Sequence, residues 1–200
     1  MTDTKYFLAI DPASSTGYAR FSLADGAITL NNYGIIEVKN IANEEFSTVG
    51  DTCNDLHDKI QELLDPIPEV VYIEDFFVSR KCVRGVNLNF YLRASIAMLL
   101  SRNQIKYKFL SPSEWKAHIT GIRGGRPTKT MKTANSNANK TIITDKLQER
   151  YSIKFPEKIL INGKPRKFKF DISDAVGIGI YGIHTNFPSA RFSSPSSTTP

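Results

Sequence analysis

Two continuous apolar runs stand out against the rest of the chain, and each ends in an acid. Tyr6-Phe7-Leu8-Ala9-Ile10 reads as a strand buried on both faces and runs straight into Asp11. Val70-Val71-Tyr72-Ile73 reads the same way and ends in Glu74-Asp75. Between them, Tyr18 to Leu23 alternates and meets a tight-turn signal at Asp25-Gly26. The β-branched stretches 27–30 and 33–38 follow, so the simplest start is a three-stranded antiparallel meander. From Glu44 to Leu64 the period becomes helical, with Val49, Cys53, Leu56, Ile60 and Leu63 on one face until Asp65-Pro66 ends it.

The later pattern continues in the same alternation of types. Leu88, Leu92, Ile96 and Leu99 mark a second helix, and Ile105 to Leu110 alternates as a half-buried strand. Ser111-Pro112-Ser113-Glu114 is a helix start, with Pro at the first helical position and a Ser/Glu capping box. Trp115 and Ile119 would point inward, and Gly121 would end the helix. Residues 121–139 have no apolar period and read as a long mobile loop, functional or disordered. A helix is expected around 140–150, then a basic β-hairpin within 155–170 turning at Asn162-Gly163. The last helix begins at Asp171 with Ile172, Val176, Ile180 and Ile183 on one stripe. Residues 187–200 are rich in Ser and Pro and read as a disordered tail. The reading is one α/β domain over residues 1–186.

Composition narrows the class. Hydrophobic residues make up 40% of the chain, enough for one core. No apolar run approaches the ~18 residues a membrane-spanning helix needs, and no signal peptide is evident. Cys53 and Cys82 lack disulfide or zinc spacing, which suits an intracellular, reducing setting such as cytoplasm, nucleoid or a virus-infected cell. The net charge of +6 is unevenly spread. Residues 1–101 hold 8 Lys/Arg against 14 Asp/Glu, whereas residues 102–170 hold 17 against 4. A basic segment set against an acidic half suggests a polyanion held over a cation site; the plain alternative is a solvated basic face.

The candidate chemistry lies in the acids. Asp11 and Glu74 close buried strands, and Asp171 and Asp174 stand three apart in the first turn of the last helix. Singly, each has an ordinary explanation: turn residue, strand end, helix N-cap. Together, four carboxylates at one sheet edge would repel one another unless divalent ions compensated them. Oxygen ligands without Cys or His select Mg²⁺, with Mn²⁺ able to substitute.

The segments "AIDPASSTGYA", "VVYIEDFF" and "FDISDAVGIGIYGIH" resemble, in that order, the three acidic motifs of RuvC-type Holliday-junction resolvases of the ribonuclease H-like superfamily. The resemblance spans roughly residues 5–184. It implies an α/β fold with a mixed five-stranded sheet flanked by helices. It also implies Asp11, Glu74, Asp171 and Asp174 as catalytic ligands of two Mg²⁺ ions, a homodimer formed through the helix at 87–103, and branched, four-way DNA as partner. Phe77 resembles an aromatic that contacts bases, with a core role as its alternative. Lys116 and Lys140 resemble lysines that meet the DNA backbone, and Arg123, Arg126, Lys129 and Lys132 of the basic loop join them as DNA contacts. The turn after Asp11 is one residue short, and the loop 121–139 and hairpin 155–170 are enlarged, as in phage- or virus-borne relatives.

Three other functions fit parts of the pattern. A nuclease of the same fold could act on flaps, hybrids or RNA. A junction-binding protein without catalysis would gain by losing the acids. Asp-x-x-x-x-Thr-Gly also suits actin-like ATPases, but 200 residues leave no room for their second lobe. His184 can be read as general base, surface residue or helix cap and is left out of the catalytic set.

Overall fold

A computed structural model describes residues 3–13, 15–38, 49–75, 83–122, 138–161, 164–168 and 170–193. The meander forms as β1 (Lys5–Asp11), β2 (Ser15–Ala24) and β3 (Ala27–Glu37), paired antiparallel. Asp25 and Gly26 take φ of 53° and 75°, the left-handed pair that a two-residue hairpin turn requires. The register of β2 on β3 slips between Arg20 and Phe21, leaving Asn31 as a bulge in what the sequence suggested were two stretches. Helix α1 (Val49–Gln61) then leads to β4 (Val70–Glu74), which lies parallel to β1. Helix α2 (Val83–Arg102) connects to β5 (Tyr107–Leu110), parallel to β4. Helices α3 (Pro112–Thr120) and α4 (Ala138–Tyr151), the hairpin β6 (Lys158–Ile161) with β7 (Lys164–Lys167), helix α5 (Phe170–Asn186) and β8 (Arg191–Phe192) complete the chain.

The mixed sheet runs β5-β4-β1-β2-β3-β8, six strands where five were expected. Its two faces bury different sets, as strand alternation demands. Phe7, Ala9, Ala19, Phe21 and Tyr72 face α3, α4 and α5. Leu8, Ile10, Val71 and Ile73 face α1 and α2, where Leu56, Ile60, Leu92 and Ile96 are fully buried.

Helix α5 is buried on more sides than a single stripe allows: Ile172, Ser173, Ala175 to Ile180, Gly182 and Ile183 are all covered. Its glycines make this contact close. A Cβ at Gly179 would overlap the Phe21 ring, one at Gly182 the Tyr72 ring, and one at Gly177 the Trp115 ring. The helix therefore lies almost directly on aromatic surfaces of β2, β4 and α3.

Four expectations need correction. The tail is not wholly disordered: Phe187 packs edge-on against Phe7, Ala190 is buried, and β8 pairs with β3 through Ala27 and Ile28. Short apolar residues in a Ser/Pro-rich stretch found an open sheet edge, which composition alone does not reveal. The alternating half-burial expected over Ile105 to Leu110 is not kept: Tyr107, Lys108 and Phe109 are all exposed, because β5 is an edge strand, and its buried residue is Leu110. Val49, at the start of α1, is also exposed, and residues 44–48 lie outside the described residues. The capping box at α3 does not close: Ser111 Oγ pairs with Ser113 Oγ at 2.8 Å and makes no cap. Pro112 still opens that helix, Trp115 and Ile119 are fully buried, and Gly121 ends it with φ of 72°. Among the described residues no helix is long and apolar enough to cross a membrane.

Candidate active site

The register Ile10↔Ile73 sets the ends of β1 and β4 side by side, so Asp11 and Glu74 are neighbours at the same edge. Alternation decides where they point. Asp11 follows the parity of Phe7 and Ala9, and Glu74 that of Tyr72, so both belong to the face covered by α5. Asp11 pairs across to Gly17 on β2. A Cβ at Gly17 would overlap the backbone carbonyl of Asp171, so glycine there lets the start of α5 sit down on the strand beside Asp11. Thr16, fully buried, holds the intervening turn: its Oγ1 donates to the Ala13 carbonyl at 2.7 Å and accepts from the Ala13 amide at 3.2 Å. The short turn and the Thr-Gly pair thus have a mechanical role in bringing strand end and helix start together.

The four acids meet closely enough to perturb one another. Burial holds the Asp11 carboxyl well above the usual carboxylate range, with the charges of Glu74 and Asp174, a hydrogen bond with Glu74 and the charge of Asp171 adding to the effect. Burial likewise pushes Asp174 up to about 7; Lys116 pulls against this, while Glu74 and Asp171 reinforce it. A hydrogen bond between two carboxyl groups needs a proton, and that proton is the cheapest relief for crowded buried charge.

Glu74 is the fixed member of the set. Trp115 Nε1 donates to its Oε1 at 3.1 Å, Lys116 Nζ stands 3.8 Å from the same oxygen, and Arg93 Nη2 stands 3.7 Å from Oε2. Arg93, only 8% exposed, also donates from Nε to the Glu74 carbonyl at 2.8 Å and from Nη1 to the Pro12 and Asn89 carbonyls. One guanidinium on α2 therefore ties together the ends of both acid-bearing strands.

Sequence reading placed Asp11, Glu74, Asp171, Asp174 and Lys116, and the structure brings all five to one place. It missed Arg93, whose only signal is a lone cation beside Leu92 and near Ile96 in an apolar helix, and it saw Trp115 as core alone. Phe77, Arg123, Arg126, Lys129 and Lys132 lie outside the described residues; Lys140 falls in the first turn of α4, its side chain likewise outside them. His184 lies ten residues beyond Asp174, about 15 Å along the helix. There its Nδ1 is 3.2 Å from His118 Nε2, which removes it from the acids.

No protein-family model and no curated protein matches the sequence. Solved structures do. RuvC of Thermus thermophilus superposes with a TM-score of 0.62 over 93% of this chain and 98% of its own, at 12% identity. The same protein in complex with a Holliday junction substrate gives 0.61 over 94% and 98%, at 13% identity. The chain has the ribonuclease H-like fold of RuvC. The yeast mitochondrial Holliday junction resolvase Ydc2 shares it, with a TM-score of 0.54 over 92% of this chain and 79% of its own, at 16% identity. The RuvC-type resemblance of the three acidic motifs thus agrees with a likeness of the whole fold.

Whether a metal suits these residues can be judged from the donor set. All four acids offer hard oxygen, among the described residues no thiol or imidazole stands with them, and Arg93 and Lys116 bring positive charge to Glu74. A divalent ion would compensate the crowded carboxylates in place of the proton that burial favours on Asp11, so the chemistry fits Mg²⁺ or Mn²⁺. Among the described residues, no three acidic, His or Cys side chains are closed around a single point as a finished metal shell.

Proposed function

We propose that this protein is a structure-selective DNA endonuclease that resolves four-way junctions by paired symmetric nicks. The observation that carries the reading is the meeting of Asp11, Glu74 and the first turn of α5, drawn from three distant parts of the chain, at a covered edge of a RuvC-like fold. Support comes also from the solved structure of similar fold bound to a Holliday junction substrate. Two Mg²⁺ ions would be held by Asp11, Glu74, Asp171 and Asp174. Bound there, they would polarise the scissile phosphate, activate the attacking water and stabilise the leaving 3′-oxygen.

The chain's own residues do the positioning. Trp115 and Arg93 hold the Glu74 carboxylate from opposite oxygens, so its direction does not depend on the ions. Lys116, about a third exposed beside Glu74, would donate to a backbone phosphate. Phe77, Lys140 and the loop cations Arg123, Arg126, Lys129 and Lys132 would extend the DNA contact outward. A homodimer would present two such sites to a twofold-symmetric junction. Phe90, Tyr91 and Met98 leave the outer side of α2 apolar and 48–62% exposed, and this is the surface proposed for the partner copy.

The test is cleavage by purified protein with Mg²⁺ on a four-way junction, a flap, an RNA–DNA hybrid and plain duplex. Paired nicks across the junction alone are expected. Cutting of the flap or hybrid alone would replace the reading with a nuclease of other specificity, and junction binding without nicking would replace it with a binding protein.

A further inference from the structure

The outer face of the β6–β7 hairpin carries pairs that add little to its own stability. Its register sets Lys158 directly opposite Lys167 and Leu160 directly opposite Pro165. Directly paired residues share a face, as do alternate residues, so Lys158, Leu160, Pro165 and Lys167 form one surface, and all four are exposed. Like charges across a strand pair repel, and Leu160 is 76% exposed between them and the turn. Two-stranded hairpins are marginal even with favourable pairs. The opposite side holds the hairpin in place: Ile161 is 4% exposed, and β6 lies against β3. Glu157 is the sole acid between residues 151 and 170, against six Lys and Arg.

An aromatic chain fixes the hairpin relative to the acids. Tyr33 meets Phe155 edge-on at 5.5 Å, Phe155 meets Phe168 at 5.0 Å, and Phe168 meets Phe170 at 6.2 Å. Phe170 opens α5 and is followed immediately by Asp171. A molecule gripped on the outer hairpin face is thereby held in a set relation to the acid-bearing helix turn.

We infer that the outer face of the hairpin is a second DNA-contacting surface, with Lys158 and Lys167 taking backbone phosphates of a duplex arm and Leu160 pressing on a base step or unpaired base beside them. The inference rests on the proposed nuclease reading and adds the element that would seat an arm. Polyanion binding turns the Lys158–Lys167 repulsion into attraction, and an apolar side chain projecting from a basic element is how proteins unstack bases where a duplex is bent or branched. A two-stranded ribbon is also of a size that enters a groove.

The test uses the full chain in Ca²⁺ buffer, with fluorescence anisotropy on a four-way junction and on duplex across a range of salt. Lys158→Ala/Lys167→Ala should weaken junction binding about tenfold near 0.1 M salt and lower the slope of log affinity against log salt by about two. Lys158→Gln/Lys167→Gln, which keeps side-chain length, should do the same. Leu160→Ala should leave the slope alone and reduce the brightening of a 2-aminopurine placed at the branch. Unchanged slopes in both lysine pairs, with wild type binding normally, would overturn the inference and leave the nuclease reading standing. Wild type that binds neither DNA would overturn both. A concentration-dependent dimer lost in Leu160→Ala without DNA would assign the face to a second copy and also overturn the inference.

Discussion

At the acidic edge of the sheet Asp11, Glu74, Asp171 and Asp174 press like charges together under cover, and on the β6–β7 hairpin Lys158 and Lys167 do the same in open solvent. Water and salt screen the lysines, so their repulsion costs little. Burial denies the acids that screening, and two of them hold protons more tightly as a result: Asp11 is held well above the usual range and Asp174 is pushed to about 7. The same crowding therefore yields two kinds of site. On the readings proposed above, the buried one would take a compact, multiply charged ion in place of a proton, and the exposed one would take a long polyanion in a salt-dependent way.

The sharpest break of that contrast is Asp11→Asn. It should lower junction cleavage roughly 10³-fold or more while junction binding persists, read by nicking and anisotropy on one preparation. Intact cleavage would remove Asp11 from the proposed site. Next in size is Arg93→Met, which strands the Glu74 and Pro12 carbonyls and removes a cation from a buried carboxylate. Its loss should cost about 3 kcal/mol in urea denaturation, and a change under 1 kcal/mol would show the guanidinium to be incidental.

Proton uptake at Asp174 has a definite sign. Its folded pKa, raised from 3.8 to about 7, means that the folded state holds a proton the unfolded state has released across that window, so stability falls as pH rises from about 4 to 7. Asp174→Asn removes this term. Its Tm advantage over wild type without metal should grow over the same window, by up to about 2–4 kcal/mol in stability terms, and Mg²⁺ should narrow the gap by raising wild type. An advantage independent of pH would contradict the buried-charge account. Comparison with the variant is needed because burial holds His118 and His184 down, which acts in the opposite direction at low pH.

Gly17→Ala should cost about 1–3 kcal/mol by pushing the start of α5 off β2. It should also weaken the Mg²⁺-dependent rise in Tm, whereas a purely local strain would leave that rise unchanged. The smallest effect is expected from Lys129→Ala or Lys132→Ala, each lowering the salt dependence of junction binding by about one phosphate contact.

Much of this molecule was legible because its signals are local. Tyr6 to Asp11 and Val70 to Glu74 declare buried strands by composition, Asp25-Gly26 declares a turn by its left-handed backbone, and Pro112 and Gly121 declare the ends of α3. The hairpin was legible through its apolar and basic strands, while the turn read at Asn162-Gly163 lies outside the described residues. What was missed depends on neighbours far along the chain. Tyr107 and Phe109 have the pattern of inward residues, and only the position of β5 at the edge exposes them. Arg93 has no local reason to stand in an apolar helix; its reason is the pair of strand ends 19 and 81 residues away. The ordered segment after Asn186 likewise depends on the open side of β3.

By itself the amino-acid order determined most of the strands, helices and turns, β8 excepted, and that acids stand at the ends of two strands and at the start of a helix. Backbone sterics and hydrophobic period act over a few residues, so they can be read along a line. Tertiary structure alone decided that those acids share one covered edge, that Arg93 and Trp115 hold Glu74, and that glycines let α5 approach β2 closely enough to bring its first turn to Asp11. Charge, burial and close contact are properties of distance in space, and distance in space is settled only when the sheet and its helices have packed.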